Sequence, residues 1–360
     1  MPTVTFEPAP LTAVCGPLWS GPDLDPADYT VTLNQSQVAE VTAAVETACR
    51  RLVGRDMTFD PHVSQDDFPL PSLGPLFGDA ARQVADGRGF ALLRGLPTGG
   101  LDETEAAVMI RGLVTYLAPI ATQSRDRHLI RHVRATGRHL GDNVTRGHQT
   151  TQRLWFHTDG ADAAVLLCRR AAANGGLSRL ASAATVHNAM LAANPAAVAA
   201  LYQPFHFHMA GGNVPGLPET FRSPILSLHR GRFSVRYVRH TLLETQQVTG
   251  VLLPQQALDA FDLIEATADA HSADMELRVG DLQVVNNHTV LHSRTGYTDS
   301  GEADLRRHLL RAWLSFPHYA GRRAAAVDEA LRFGWLSEEQ QRQAAQAWTP
   351  AGTTAATDVE

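Results

Sequence analysis

LQVVNNHTVLH, Leu282 to His292, decides how the second half of this sequence is read. Its first part, Leu282–Asn286, follows a Val-Gly-Asp turn at 279–281 and reads as a short strand. Similar β-like runs recur from about Leu129: HLIRHVRA, AAVLLC, PILSL, RFSVRYV and HLLRAWLSF. Turn and loop residues separate most of them. Many short strands of even length predict a sandwich or a jelly-roll barrel. Two helical patches interrupt the series, near Ala183–Leu201 and Pro254–Ala270.

The first third is more helical. From Gln35, apolar residues at Val38, Val41, Val45 and Leu52 follow a helical period, with Asn34 or Ser36 as cap. Leu76–Ala85 and LDETEAAVMIRGLVTYL read as two further helices, the second with acidic residues in its first turn. Between them GRGFALLRGLP, Gly87–Pro97, reads as a buried strand between breakers. Residues 1–30 are proline-rich and expected to form an extended arm. Residues 31–348 read as one domain, ending in the helical patterns AAAVDEALRFGWL and SEEQQRQAAQAW. The polar tail 349–360 is expected to be disordered. The predicted fold is mainly β with flanking helices.

Composition narrows the function classes. The 360 residues are 44% hydrophobic, enough for a large core. A net charge of −6 without a lysine/arginine run argues against nucleic acid as partner. Three widely spaced cysteines, Cys15, Cys49 and Cys168, argue against a disulfide framework and for a reducing cytoplasm. No apolar run approaches the ~20 residues of a membrane span, and the N-terminus lacks a signal-peptide pattern. Nothing in the sequence fixes an oligomeric state.

LWFHTDG, Leu154–Gly160, carries the chemistry. In a strand, residues two apart share a face, so His157 and Asp159 would project together, with Trp155 beside them and Phe156 and Thr158 opposite. Sixteen histidines make chance H-x-D pairs expected, so a third ligand is required. His292 is the best candidate. Two histidines and one carboxylate on one face of an octahedral ion leave three positions open, the arrangement of non-haem Fe(II) oxygenases. His288, His187 and His240 read as hydrogen-bonding or solvent-facing residues. His206 and His208 alternate in FHFH but lack a nearby carboxylate. RRHLLRAWLSF then places Arg307 and Arg311 on one strand face with Leu309 and Trp313. Buried arginine requires an anion, and its planar fork suits a carboxylate.

The ordered set FHTDG, NGGLS, NNHTVLHSRT and RRHLLRAWL resembles the taurine dioxygenase-like (TauD/TfdA) family of Fe(II)/2-oxoglutarate dioxygenases. It is most similar to the clavaminate synthase-like and asparagine oxygenase-like branch, over roughly Gly89–Phe316. The resemblance implies a double-stranded β-helix, a cupin-like jelly roll. It implies His157, Asp159 and His292 as catalytic iron ligands. Arg307 would fork onto the distal carboxylate of 2-oxoglutarate, supported by Ser178, where the family commonly has threonine. Arg311 would be a second arginine near the cosubstrate or the substrate. Fe(II), 2-oxoglutarate and O2 are the implied cofactors, and Asp159 argues against the halogenase variation.

Substrate is weakly encoded. GDNVTRGHQTTQRLW reads as a lid, with Asn143, Arg146 and Gln149 as candidate contacts and Trp155 shaping the pocket. FHFHMAGGNVPGLPET reads as a second cover, and Arg236 and Arg239 are further candidates for an anionic group. The expected reaction is hydroxylation of an unactivated C–H in an amino acid, free or carrier-bound, or in an amino-acid-derived specialised metabolite. Desaturation or cyclisation would use the same site. The intact triad with Arg307 speaks against a non-catalytic cupin-like binding or sensor protein, and in a redox-inert metal hydrolase Arg307 would have no required role.

Overall fold

The computed structural model describes residues 11–52, 62–123, 128–138, 147–208, 220–316 and 319. Its helices are α1 (Pro26–Tyr29), α2 (Gln35–Leu52), α3 (Gly74–Ala85), α4 (Glu103–Val114), α5 (Ala183–Ala193), α6 (Pro195–Leu201), α7 (Arg239–Thr249) and α8 (Gln255–Ala270). Its first strands are β1 (Thr30–Thr32), β2 (Phe90–Arg94), β3 (Ile120–Ala121), β4 (Ile130–Val133), β5 (Leu154–His157), β6 (Ala163–Arg170), β7 (Asn174–Gly175) and β8 (Ser178–Ser182). Then come β9 (Pro204–His208), β10 (Thr220–Pro224), β11 (Leu226–His229), β12 (Arg232–Val235), β13 (Ala273–Met275), β14 (Leu282–Asn286), β15 (Val290–Arg294), β16 (Tyr297–Thr298) and β17 (His308–Leu314).

The main sheet runs β1-β2-β14-β6-β17-β3, with β4 also paired to β17. A smaller sheet runs β13-β8-β15-β5. All these pairings are antiparallel except β1–β2. Alternation along each strand sorts the side chains into three cores. Phe90, Leu92, Cys168, Val285 and Leu309 of the main sheet meet Leu180, Val290 and Met275 of the smaller one. The main sheet's other face, with Leu93, Val165, Leu282 and Leu310, packs against α2, α3 and α4. The smaller sheet's other face, with Phe156, Ala181 and Leu291, packs against α5, α6 and α8. Two sheets therefore face each other between two helical layers.

The helix starts follow from capping. Asn34 Oδ1 accepts the Gln37 N–H at 3.0 Å, and Gln37 Oε1 accepts the Asn34 N–H at 2.9 Å. Asp102 and Glu105 form the same reciprocal box on α4. The predicted buried strand is β2, and the anticipated β-like runs contain β4, β6, β11, β12, β14, β15 and β17.

Three expectations need correction. Helices hold at least as many described residues as strands, so the fold is one of mixed sheets with flanking helices. The described part of the arm, residues 11–30, is docked and partly folded: it contains α1, β1 extends the main sheet from Thr30, and Trp19 Nε1 donates to the Arg88 carbonyl at 2.9 Å. The helix α7 directly follows the RFSVRYV run, where no helix was expected. The polar tail, the two C-terminal helical patterns, Asn143 and Arg146 lie outside the described residues. No described helix is long and apolar enough to cross a membrane. Cys15, Cys49 and Cys168 are free thiols.

Candidate metal centre

The strand that begins LWFH stops at His157, two residues short of Asp159, to which the expected alternation ran. There the chain turns to bond the RFSVRYV segment: the Thr158 N–H donates to the Tyr237 carbonyl at 2.7 Å. Phe156 and Thr158 are buried on the far side, as alternation predicts. Trp155 is 48% exposed and lies under the Arg239 guanidinium at 4.9 Å, at the rim. Across the smaller sheet His292 pairs in register with His157, and their rings lie 4.3 Å apart. Asp159 completes the group: one ligand atom from each of His157, Asp159 and His292 lies within 4.8 Å of the others. All three are partly accessible, so they line a recess rather than a sealed core.

Their electrostatics suit a divalent metal. His157 Nδ1 bonds the Trp155 carbonyl at 2.8 Å, which fixes it as the N–H and turns the Nε2 lone pair outward. Burial lowers both histidines, His292 to about 3, so both rings are neutral. Burial pushes the Asp159 carboxyl up, but Arg311, with His292, His157 and the Trp313 bond, holds it well below the usual carboxylate range. His292 Nδ1 is buried without a hydrogen-bond partner. Two neutral imidazoles, one ionised carboxylate and an unsatisfied ring nitrogen fit Fe(II) with positions left open.

The carboxylate is clamped from the main sheet. Trp313 Nε1 donates to Asp159 Oδ2 at 2.9 Å, and Arg311 Nη1 reaches both oxygens at 3.3 Å. Arg311 Nε donates to Gln123 Oε1 at 2.7 Å. The backbone is fixed as well: the Asp159 N–H donates to Asn287 Oδ1 at 2.9 Å, and Arg236 Nη1 donates to the Asp159 carbonyl at 2.8 Å. Gly160 is the residue on which Trp313 lies; an added Cβ would meet its ring at 3.1 Å. Trp313, Asn287 and Gln123 were not singled out as site residues from sequence, since only the tertiary contacts reveal them.

Arg307 enters the same interior just before β17, 5% exposed, against the Tyr297 ring at 5.1 Å. Its Nη1 is buried without a partner. Gly176, at φ +71°, leaves the space: an added Cβ would stand 3.3 Å from Arg307 Nε. Ser178 is buried nearby in the smaller sheet and donates to Gln283 Oε1 at 2.8 Å. Gln149 lies in a single 3-10 turn ahead of β5.

The other histidines are placed elsewhere. His288 bonds Asp162 at 2.7 Å, His187 bonds the Tyr202 hydroxyl at 3.1 Å, and His240 pairs with Glu244. His206 and His208 lie on β9 and join no metal-competent group among the described residues. A second such group, Glu103, His132 and His308, differs in character. Its imidazoles bond each other at 2.8 Å, Arg134 pairs with Glu103, and Arg170 touches His308.

A histidine–carboxylate–histidine recess between two sheets, with Arg311 on its carboxylate, is the arrangement of a non-haem iron dioxygenase that uses 2-oxoglutarate and O2. The chain belongs to the taurine catabolism dioxygenase TauD, TfdA family, which matches residues 55–313. It is 31% identical to FR-33289 synthase of Streptomyces rubellomurinus (strain ATCC 31215), over 81% of this chain and 86% of that protein. Taurine hydroxylase-like protein SAT17 of Stachybotrys chartarum (strain CBS 109288 / IBT 7711) is 27% identical, over 79% and 74%. Asparagine oxygenase, solved with Fe(II), 2S,3S-3-hydroxyasparagine and succinate, shares the fold at TM-score 0.63 and 22% identity, over 80% and 93%. Non-heme iron oxygenase OrfP, solved with Fe, succinate and (3S)-hydroxy-L-Arg, does so at TM-score 0.58 and 16% identity, over 83% and 98%.

Proposed function

We propose that the protein hydroxylates an unactivated C–H bond of an amino acid or amino-acid-derived specialised metabolite, with succinate and CO2 as coproducts. The observation that carries this reading is the convergence of His157, Asp159 and His292 on one point, in a protein that also buries the part-unsatisfied Arg307 at the approach to β17. The two facing sheets are read as a double-stranded β-helix within a single domain. The hydroxylated products bound to asparagine oxygenase and OrfP support the substrate class.

His157, Asp159 and His292 would hold Fe(II), which supplies the oxidising chemistry once 2-oxoglutarate and O2 are bound. Arg307 would pair with the distal carboxylate of 2-oxoglutarate, with the Ser178 hydroxyl beside it. Trp313 and Arg311 keep the Asp159 carboxylate ionised and oriented. Trp155 and Arg239 would form the rim on which substrate lands. The test is anaerobic addition of 2-oxoglutarate to the Fe(II) protein, followed by a screen of free and carrier-bound amino acids for stimulated succinate release. A weak visible charge-transfer band and a responding substrate are expected. Absence of the band, with Zn(II)-supported hydrolysis instead, would overturn the reading.

A further inference from the structure

Arg294 has more buried donors than its contacts use. It stands two residues after His292 on β15, so alternation turns it to the same inner face, and it lies opposite Ser178 in register. It is 5% exposed. Its Nη2 donates to the carbonyls of Thr150 and Gln152. Its Nε and Nη1 are buried with no partner, as is Nη1 of Arg307. The two arginines come from opposite sheets onto one ring, their guanidinium carbons 4.8 Å and 5.1 Å from the Tyr297 centroid.

Holding the 150–152 loop explains one nitrogen of Arg294. It does not explain a second buried cation beside Arg307. Asp299 acts on both guanidinium groups but forms an ion pair with neither, so each buried charge still costs several kcal/mol and the two repel each other. Both costs fall when an anion with several acceptor lone pairs lies between the forks. We propose that Arg294 is the second cationic group of the cosubstrate pocket, closing with Arg307 on the distal carboxylate of 2-oxoglutarate. The inference rests on the 2-oxoglutarate reading above and adds the residue that makes the pocket selective for a dicarboxylate.

The test compares two ligands on the Mn(II)-loaded protein by calorimetric titration: 2-oxoglutarate, and 2-oxopentanoate, which keeps the chain length but lacks the distal carboxylate. Arg294→Gln should weaken 2-oxoglutarate at least about tenfold, as expected for a lost charge-assisted bond. It should leave 2-oxopentanoate unchanged. Equal weakening of both, or of neither, would overturn the role and leave Arg294 as a loop anchor. If Arg294→Gln fails to fold, Arg294→Lys serves, because it keeps charge but loses the fork. A selective loss for 2-oxoglutarate supports the proposal, and equal behaviour of the two ligands overturns it. If the unsubstituted protein does not prefer 2-oxoglutarate over 2-oxopentanoate, the cosubstrate reading itself fails, whatever the variants do.

Discussion

Asp159 has its orientation set by residues far away in sequence. One oxygen accepts the Trp313 indole N–H, the guanidinium of Arg311 faces both, and Asn287 holds the peptide. Outer-shell partners of this kind typically change metal affinity 10–100-fold. Trp313→Phe, which keeps the ring on Gly160 but removes the N–H, should weaken Co(II) binding about 10–100-fold in an anaerobic visible titration, with the thermal midpoint little changed. An unaltered Co(II) affinity would mean that Arg311 alone orients the carboxylate. Asp159→Ala should abolish substrate-driven succinate formation, and unchanged turnover would remove Asp159 from the metal site. That His157, Asp159 and His292 come together was legible from residue type and strand spacing, while the role proposed for Arg307 rests on the family resemblance. Trp313 and Asn287 were not, because each bonds Asp159 across more than a hundred residues and neither type is diagnostic of a metal site.

At the scale of elements, β17 divides its work between its faces. Arg311 and Trp313 point at the metal recess, while Leu310, Ala312 and Leu314 pack under the helical layer. His308 begins the second face, where burial, His132 and Arg169, Arg170 and Arg134 push its imidazole down to about 3. The unfolded chain would protonate it near 6.5. The folded state therefore binds fewer protons than the unfolded one between those values. Its contribution is present above about pH 6.5 and is lost as pH falls toward 3. Urea midpoints of the metal-free protein should drop from pH 7.5 to pH 5. His308→Asn should reduce that drop without abolishing it, since His292 contributes with the same sign. An identical drop in the variant would refute the assignment. Helix α4 offers a packing test. A Cβ on Gly112 would stand 2.2 Å from the Phe68 ring, so Gly112→Ala should cost about 1–3 kcal/mol in urea unfolding, and an unchanged midpoint would show that Phe68 yields freely. Helix α4 was legible through the acidic residues of its first turn. Helix α7 was not: it has no side-chain cap and buries only Leu242 and Thr245, so no periodic signal marks it.

Among the described residues two larger sheets face each other, with three two-stranded pairs besides, and the candidate site is divided between the two larger ones. The candidate metal ligands come from β5, its exit and β15, whereas the side chains on the Asp159 carboxylate and the Arg307 cation come from β17 and its approach. The run of short strands foretold the facing sheets, but pairings such as β14 between β2 and β6 depend on contacts far apart in sequence. On the proposed reading this division would make the cosubstrate a bridge. A ligand held by the metal at one end and Arg307 at the other ties the smaller sheet to the main one. In the Mn(II)-loaded protein, 2-oxoglutarate at 100 times its Kd should stabilise the fold by about 2.7 kcal/mol. Hydrogen-exchange protection should then rise on β15 and β17 together. Arg307→Ala should confine the rise to β15, because the metal end alone would remain attached. Protection limited to β15 in the unsubstituted protein would show that the cosubstrate does not reach the main sheet, and would remove Arg307 from its binding.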